Sequence, residues 1–514
     1  MTGRGLFGLL AVLAACHHDD EPKDGTTPTE PEPVPIELGA PRVGAAEGYL
    51  DLPVGTPLSG YTARCGCFGS FSKQDDRDSA YTHSFVESTG VQTWPSIKVI
   101  WVDNGDDQLV LTKTDSIYSS DELVAALTAR LEAETGEDLA GRVVHATTHT
   151  HSSFGDYAHG TTWFLGSDVF NEEIFERMVD RIATVALEAR ANEQPAKIGV
   201  GWATDWDPSD TVYRDRRGEN DDLQPWGPEG PRLGKDPHLG VIRFDDAGGE
   251  PLALVVNFGM HGIIGSESSP LASSDSGGHL EEGVQESYGD RKVVVMFTQG
   301  SGGDASPAGE QGDFARMESI GVRGAPLVRA LADSVQTSDA PVHLETVSRA
   351  VLKDHDSIRV TRGGTVDWRY APYDPDPGFT ADNVVYAPDG SLAMPIDEFN
   401  TSSGAVFCGQ GGIPLPEGTL PTSVEPYSRC LTVEAMSGLL ELFFDLAPED
   451  ISLPLPESLQ AGTTATRLGP LPTLRADGTR VDEDLLVGFF SEPVYSYGER
   501  WRRRAQAEPA SPTR

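Results

Sequence analysis

The hydrophobic pattern of the chain contains short apolar runs separated by polar turn sequences, an arrangement that favours β-strands. Apolar runs over Ile97–Asp103 and Leu109–Leu111 flank the turn sequence NGDD at residues 104–107. An Asn-Gly step between two apolar runs is a strong hairpin signal, because the connecting turn needs residues that tolerate positive φ. Five further apolar runs predict strands at Arg142–Thr148, Lys197–Trp202, Leu239–Phe244, Leu252–Phe258 and Lys292–Phe297.

Two stretches between these strands carry apolar residues at the spacing of a helix. The first runs from Leu123 to Leu131, with Ser120 as a candidate N-cap and Gly136 as a stop. The second covers residues 172 to 191. Because strands and helices alternate along the chain, we predict an α/β fold with mixed β-sheets flanked by helices. Residues 360–430 are rich in Gly, Pro, Asp and Ser, which predicts long loops, and a helix is expected to follow over Glu434–Leu446.

The N-terminus has the features of an export signal. Arg4 precedes an apolar run at residues 6–15 that is too short to span a bilayer, and Leu13-Ala14-Ala15-Cys16 has the form of a bacterial lipobox. We therefore expect residues 1–16 to be a lipoprotein signal peptide, cleaved before Cys16, with the lipid attached to that cysteine. An ordinary secretory signal cut nearby would change the anchoring but not the export.

Residues 17–37 are dominated by Pro, Thr and acidic side chains, so they cannot bury enough apolar surface to fold and are expected to form a linker. The globular domain is then expected to cover residues 38–514. This organisation predicts a protein exported to the bacterial cell envelope, as an outer-membrane lipoprotein held at the membrane by its N-terminal lipid.

The charge balance is strongly acidic and excludes one class of partner. Lys and Arg total 39 against 80 Asp and Glu, for a formal net charge of −41. Such a surface repels nucleic-acid backbones and gains nothing from anionic lipid headgroups, whereas neutral or cationic substrates meet no barrier. We therefore expect no nucleic-acid partner. The excess also serves solubility and identifies no ligand. The sequence gives no indication of the oligomeric state.

Four cysteines remain once Cys16 is set aside, an even number that suits disulfides in an oxidising compartment. Cys408 and Cys430 are expected to close a disulfide across the Gly/Pro-rich segment between them. Cys65 and Cys67 are separated by one residue and would form either a strained ring or a metal-binding pair, and both options stay open.

Three polar motifs follow predicted strands, where open α/β sheets place their sites. His149-Thr150-His151 lies where one strand should end, and alternate residues of a strand face the same side, so both imidazoles can approach one ion. His261 follows a second strand, and Ser306 lies in the loop GSGGDASP after a third. Each motif alone is also common in structural roles. The serine spacing differs from that of a nucleophile elbow, which disfavours a serine-hydrolase triad.

The order of these motifs resembles that of the neutral, non-lysosomal ceramidases. The HTHS sequence at residues 149–152, the later strand-ending His261 and the GDxSP sequence around Ser306 occur in that family's order. Residues 43–61 look like its first strand and following loop, and Ser273-Ser274-Asp275 resembles a segment that it carries between the second His and the serine loop. The resemblance covers about residues 38 to 505.

The resemblance implies a zinc-dependent amidohydrolase that cleaves ceramide, an N-acyl sphingoid base, to sphingosine and fatty acid. The expected zinc ligands are His149, His261 and Glu492, the last in the segment FFSEP. His151 is expected to donate to the substrate carbonyl and Ser306 to be the nucleophile or to position the amide. Arg214, within YRDRR at residues 213–217, is the arginine chosen to face the substrate, although the family's wording around its arginine is absent here.

The chain departs from the family pattern near its C-terminus. The family has a further Tyr ligand beyond the Glu segment and then a C-terminal β-sandwich domain, and neither is recognisable before Arg514. The expectation is therefore a catalytic domain without the sandwich, either C-terminally truncated or with water in place of the Tyr ligand. Tyr495 and Tyr497 lie close to Glu492 but in a different sequence context.

Two other functions fit the same sequence features. One is a surface lipoprotein that binds lipid or glycan without catalysis, which the missing Tyr ligand favours. The other keeps the zinc chemistry but cleaves an ester bond of another lipid. Metal content separates the first from an enzyme, and matched amide and ester substrates separate the second.

The lipobox gives a direct test. We expect Cys16→Ala to move the protein from the membrane pellet to the soluble fraction, because the lipid attachment site is lost, while turnover of detergent-dispersed substrate stays unchanged. Ultracentrifugation of cell lysates measures the distribution. A Cys16→Ala variant that pellets like the wild type would show that another element holds the protein at the membrane.

Overall fold

A computed structural model of the protein describes residues 38–64, 79–83, 85–158, 167–215, 235–303, 305–309, 311–352 and 460–489. Several predictions fall outside these ranges. They are Cys16 with the signal and linker segments, all four remaining cysteines, the loops at 360–430, the helix at 434–446, and Glu492 with its neighbouring tyrosines.

The architecture is built on one large mixed sheet. Its main path has the order β11-β9-β8-β6-β1-β3-β4-β5. In chain order, these strands are β1 Arg42–Tyr49, β3 Ser96–Asp103, β4 Gln108–Thr114, β5 Val143–Thr147, β6 Gln194–Thr204, β8 His238–Asp246, β9 Pro251–Phe258 and β11 Val294–Gln299. The pairs β4–β5 and β9–β11 are parallel, and the other pairs along the path are antiparallel.

Smaller elements extend this framework. β13 His343–Leu352, β14 Gln460–Leu474 and β15 Arg480–Phe489 form an antiparallel unit that joins the sheet through β14 and β6. Two short pairs lie apart from it, β2 Gly90–Val91 with β10 Leu271–Ala272, and β7 Tyr213–Asp215 with β12 Ala305–Pro307.

Four helices are present in the described part of the chain: α1 Asp121–Thr135, α2 Glu172–Ala191, α3 Asp275–Glu286 and α4 Asp313–Ser334. The Ser120 side chain caps α1 by accepting from Leu123 N at 3.1 Å, and α1 ends at Gly136 in the left-handed conformation. Within the described ranges, none of the helices combines the length and apolar character needed to cross a bilayer.

Three apolar clusters show that the large sheet is folded into two halves that face each other. β1 and β6 pair at only two positions, so the strands on either side of this junction form two half-sheets. Successive residues of β3 point to opposite faces: Val99 and Trp101 pack against α1 and α2, whereas Ile100 and Val102 pack in the cluster that contains Val255 of β9. A third cluster packs β8, β9 and β11 against α3 and α4. The layers are therefore helix, sheet, sheet and helix.

The predicted α/β class with mixed sheets and flanking helices is confirmed. The hairpin over residues 96–114 and the helix Glu172–Ala191 match their predicted positions. The sequence patterns did not reveal α3, α4 or the β13–β15 unit. α3 contains three glycines, which have low helix propensity, and it buries the polar side chains of Asp275 and His279, so its sequence does not resemble that of a typical helix.

A buried ion cluster joins the two half-sheets to α3. Lys113 Nζ lies 2.7 Å from Asp115 Oδ1 and 2.8 Å from Glu281 Oε1, and the three side chains are 0 to 1% exposed. Glu281 Oε1 also accepts from Phe297 N on β11 at 2.7 Å. Burial is the main cause that raises the pKa of Glu281 to about 7, with Asp115 adding to it and Lys113 opposing it.

This raised pKa gives stability a definite pH dependence. The folded state binds the Glu281 proton more tightly than the unfolded state, so its contribution is complete below the unfolded pKa and is lost as pH rises through about 7. Between pH 5 and 8 we expect wild-type protein to lose roughly 2 to 3 kcal/mol more unfolding free energy than Glu281→Gln.

Urea unfolding at the two pH values measures this difference. Glu250→Gln is the matched control, since Glu250 is 56% exposed and pairs with Arg291 at the surface. The control should behave like the wild type. Parallel pH profiles for wild type and Glu281→Gln would contradict the assignment.

Candidate active site

Two imidazoles face each other through their Nε2 atoms at the ends of different strands. His149 Nε2 lies 3.1 Å from His261 Nε2. His149 Nδ1 is 2.7 Å from the Ile117 carbonyl and His261 Nδ1 is 3.1 Å from the Gly302 carbonyl. A carbonyl can only accept, so each Nδ1 carries the proton and each Nε2 presents a lone pair. Two lone pairs at this separation repel each other unless a cation or proton lies between them.

His151 completes the cluster. Its Nε2 lies 3.2 Å from His149 Nε2, and the ligating atoms of the three histidines all lie within 4.8 Å of one another. His261 is 3% exposed, whereas His149 and His151 are partly exposed. The cluster is thus anchored on its inner side and reachable from outside.

The approach of the two histidine segments is fixed by the main chain. Thr150 and Gly262 form an isolated parallel bridge, in which His151 N donates to the Gly262 carbonyl at 2.7 Å. A side chain at position 262 would not fit, because a Cβ atom there would lie 2.7 Å from Thr150 Cα. Glycine at this position is therefore what allows the bridge to form.

The geometry of the HTH motif differs from the sequence-based expectation. The strand periodicity predicts that residues 149–151 are extended, with alternate side chains on one face. In the structure, β5 ends at Thr147, and His149 has a φ of 57°, in the left-handed region. The two imidazoles converge because the chain turns after β5. This left-handed residue is a local feature that the strand periodicity does not predict.

The parallel strand pairs explain why distant residues meet. β4 and β5 are parallel, so Ile117 and His149 emerge at the same edge. β9 and β11 are also parallel, which brings His261 and Gly302 to one edge. β11 also packs against β5, so the two edges are adjacent. Such carboxyl edges are where α/β folds place their sites.

A buried carboxylate supports the loop that carries His261. Asp275 is fully buried and accepts from Ile264 N at 3.2 Å and from Gly265 N at 2.7 Å. Burial raises its pKa, and its hydrogen bonds to main-chain amides oppose that rise. Asp275 belongs to the Ser273-Ser274-Asp275 segment noted in the sequence, and the structure gives that segment a supporting role.

Ser306 and Arg214 are brought together by a short antiparallel pair. Ser306 of β12 stands directly opposite Arg214 of β7, and directly opposite residues of an antiparallel pair have Cβ atoms about 4.5 to 5.5 Å apart. Both side chains are partly exposed. His261 N donates to the carbonyl of Ala305 at 3.0 Å, which links this pair to the histidine cluster.

The segment before Arg214 is held by a pair of charged residues that the sequence patterns did not single out. Asp207 accepts from the main-chain amides of Thr211, Val212 and Tyr213, and these hydrogen bonds lower its pKa against the effect of burial. Lys235 Nζ donates to the Tyr213 carbonyl at 2.8 Å. Asp207 and Lys235 both bind main-chain atoms of this segment. Such contacts leave no mark in the sequence, apart from an Asp of the kind that is common in turns.

The predicted site residues therefore divide into two groups. His149, His151 and His261 form one cluster, with Ser306 opposite Arg214 close by. Glu492, Cys408, Cys430 and Cys16 lie outside the described residues. Imidazole nitrogens with lone pairs turned inward, and with their second nitrogens on carbonyls, are the arrangement by which proteins hold divalent transition metals.

Comparison with known proteins shows that part of the chain is similar to a described family. Residues 81–316 match the family described as neutral/alkaline non-lysosomal ceramidase, N-terminal. The chain is 28% identical over 224 residues to the neutral ceramidase of Pseudomonas aeruginosa, and 25% identical over 224 residues to neutral ceramidase A of Dictyostelium discoideum. Over residues 81–316, the chain is therefore similar to the neutral/alkaline non-lysosomal ceramidases.

The family match covers part of each ceramidase relative. The aligned region is 42% of this chain and 32% of the Pseudomonas protein, and 40% of this chain and 30% of the Dictyostelium protein. The crystal structure of the Pseudomonas neutral ceramidase superposes with a TM-score of 0.55 at 18% identity, over 83% of this chain and 60% of that one. The chain thus spans about a third of its curated relatives in sequence, and the structural match shows a shared fold.

Metal content tests whether the histidine cluster is a metal site. We expect His149→Ala and His261→Ala each to lose the bound metal, because each removes an inward lone pair, and His151→Ala to retain it. Elemental analysis of purified folded protein measures the stoichiometry, expected as one ion per chain.

The control is His343→Ala on β13, outside the cluster, which should keep the ion. Loss of the ion in His151→Ala with retention in His149→Ala would reverse the two assignments. Full metal content in both His149→Ala and His261→Ala would remove the cluster as the metal site.

Proposed function

We propose that the protein is a zinc-dependent hydrolase that cleaves the amide bond of an N-acyl sphingoid base, releasing sphingosine and a fatty acid. The observation that carries the proposal is the 3.1 Å approach of the lone-pair nitrogens of His149 and His261 beside the Ser306–Arg214 pair. The similarity to neutral ceramidases over residues 81–316 suggests the substrate class.

Zinc fits this donor set. Zn²⁺ binds imidazole nitrogen at about 2.0 to 2.1 Å in tetrahedral sites, so two such nitrogens lie about 3.3 Å apart. The separation of 3.1 Å between His149 Nε2 and His261 Nε2 is close to that value. Glu492 is proposed as a further ligand, by resemblance to the family.

The bound zinc would polarise the amide carbonyl and lower the pKa of a coordinated water. His149 and His261 hold the ion, since their Nδ1 protons are fixed on carbonyls. His151 is partly exposed and donates a hydrogen bond to the oxygen of the scissile carbonyl as negative charge develops there.

Ser306 and Arg214 supply the other two groups of the proposed reaction. The Ser306 hydroxyl either attacks the carbonyl carbon or hydrogen-bonds to the amide, and its place on a paired strand fixes its direction. Arg214 donates to the same oxyanion or to a polar group of the substrate head. Because the two residues are cross-strand neighbours, a substrate held by one is presented to the other.

The discriminating test compares an N-acyl sphingosine with the O-acyl ester of the same chain length, both dispersed in detergent, before and after zinc removal. We expect the amide to be hydrolysed, chelation to abolish turnover and added zinc to restore it. Ester turnover without amide turnover would favour the zinc esterase. Stoichiometric zinc with neither activity would favour the lipid-binding or glycan-binding alternative.

Side-chain variants assign the roles. We expect Ser306→Ala and Arg214→Met to lower kcat/KM by about 10²- to 10³-fold, the effect of removing one group that acts on the transition state. Matched controls are Ser348→Ala on β13 and Arg291→Met, whose guanidinium pairs with Glu250 at the surface. Wild-type rates in Ser306→Ala would exclude the serine from the reaction.

A further inference from the structure

A buried arginine without a place in the reaction described above lies directly behind the histidine cluster. Arg64 is 3% exposed, at the end of a short 3-10 turn over Thr62–Arg64. Its nitrogen atoms lie 2.8 to 3.4 Å from six main-chain carbonyl oxygens, and because a guanidinium has five N–H bonds, one N–H is shared between two carbonyls. These carbonyls belong to Leu58, Ser59, His151, Ser266, Glu267 and Ser269. The shortest of these hydrogen bonds goes to the carbonyl of His151.

The burial of this group is costly. A cation removed from water loses several kcal/mol of hydration, and here the compensation comes from carbonyl dipoles. Burial lowers the pKa of Arg64 to about 10, so the guanidinium is still charged at neutral pH. Six carbonyls from three separate segments converge on it, which makes Arg64 the tie between the loop before it, the HTH turn and the loop at residues 266–269.

A second contact runs through the aromatic ring of Tyr61. The Arg64 guanidinium carbon lies 4.9 Å from the centre of that ring, and the ring centre of Tyr61 lies 4.9 Å from that of His151. Gly60 fits against His151, since a Cβ atom there would lie 2.5 Å from His151 Cβ. Residues 60–64 therefore form one wall of the space that His151 occupies.

The three histidines are held in different ways. His149 and His261 are oriented through ring nitrogens that donate to carbonyls. His151 is held through its main chain, with its N–H on Gly262 and its carbonyl on Arg64. The main chain at His151 is thus held by a hydrogen bond on each side, and Arg64 supplies the one to its carbonyl.

We propose that Arg64 is the positioning residue for His151, fixing the main chain and, through Tyr61, the ring of the imidazole that faces the substrate. The kinetic consequence rests on the proposed hydrolase function. The effect on the His151 ring does not, because it is a property of the folded protein with or without substrate and metal.

The experiment compares Arg64→Ala with Arg243→Ala. Arg243 is also largely buried, at 13% exposure, but donates to Asp245 and to the Ala332 carbonyl, away from the histidine cluster. Both variants lose a guanidinium and leave a cavity, so general destabilisation should be similar. Protein labelled with ¹⁵N in histidine reports the ring directly, and His151→Gln assigns its signals.

In metal-free protein, we expect Arg64→Ala to shift or broaden the His151 ring signals while those of His149 and His261 keep their positions. In zinc-loaded protein, we expect metal content to be retained, kcat to fall by about 10²-fold with little change in KM, and millimolar guanidinium to restore part of kcat. Arg243→Ala should show none of these effects. His151 signals and kcat unchanged in Arg64→Ala, or losses equal to those of Arg243→Ala, would overturn the proposal.

Arg64→Lys decides the matter if the alanine variant does not fold. An ammonium group has three donors and cannot serve six carbonyls, so we expect a folded protein with the same direction of change in the His151 signals and a smaller loss of kcat. Wild-type signals and kcat in Arg64→Lys would overturn the proposal. If wild-type protein hydrolyses no N-acyl amide, the proposed function fails while the His151 signals still decide the role of Arg64.

Discussion

The site depends on one electrostatic constraint: two imidazole nitrogens with lone pairs are held 3.1 Å apart, and each is fixed in that state by a carbonyl on its other nitrogen. The Thr150–Gly262 bridge, the Asp275 carboxylate and the Arg64 guanidinium all act on the segments that carry these rings. The fold therefore brings these two nitrogens together and fixes the orientation of both rings, which is what a prepared metal site requires.

The facing half-sheets make this arrangement possible. His149 follows the strand at one end of the sheet and His261 follows a strand near the other end, so a flat sheet would hold them far apart. Weak pairing between β1 and β6 lets the halves face each other across a shared apolar core, and β5 then meets β11. The Lys113 ion cluster ties the two halves and α3 together at the same level as the site, through Glu281 and Phe297 N.

Much of this could be predicted from sequence, for physical reasons that differ by element. The β3–β4 hairpin and α2 follow from local periodicity and turn chemistry, which a single sequence displays. The motif order pointed to three histidines that the structure brings into one cluster, while the role of Ser306 stays a prediction. In contrast, three features depend on main-chain groups of distant segments. They are the left-handed turn at His149, the register that sets Ser306 opposite Arg214, and the contacts of Arg64 and Lys235 with main-chain carbonyls. Any residue type supplies such a carbonyl, so no sequence pattern marks it.

The central claim is that the protein binds zinc through the inward nitrogens of His149 and His261. X-ray absorption at the zinc edge of the purified, zinc-loaded protein tests it most directly, because it reports the ligand atoms themselves. The account predicts a nitrogen and oxygen shell at about 2.0 Å with the outer scattering of at least two imidazoles. A sulfur shell at about 2.3 Å, as Cys65 and Cys67 would give, or a spectrum without imidazole scattering, would contradict it.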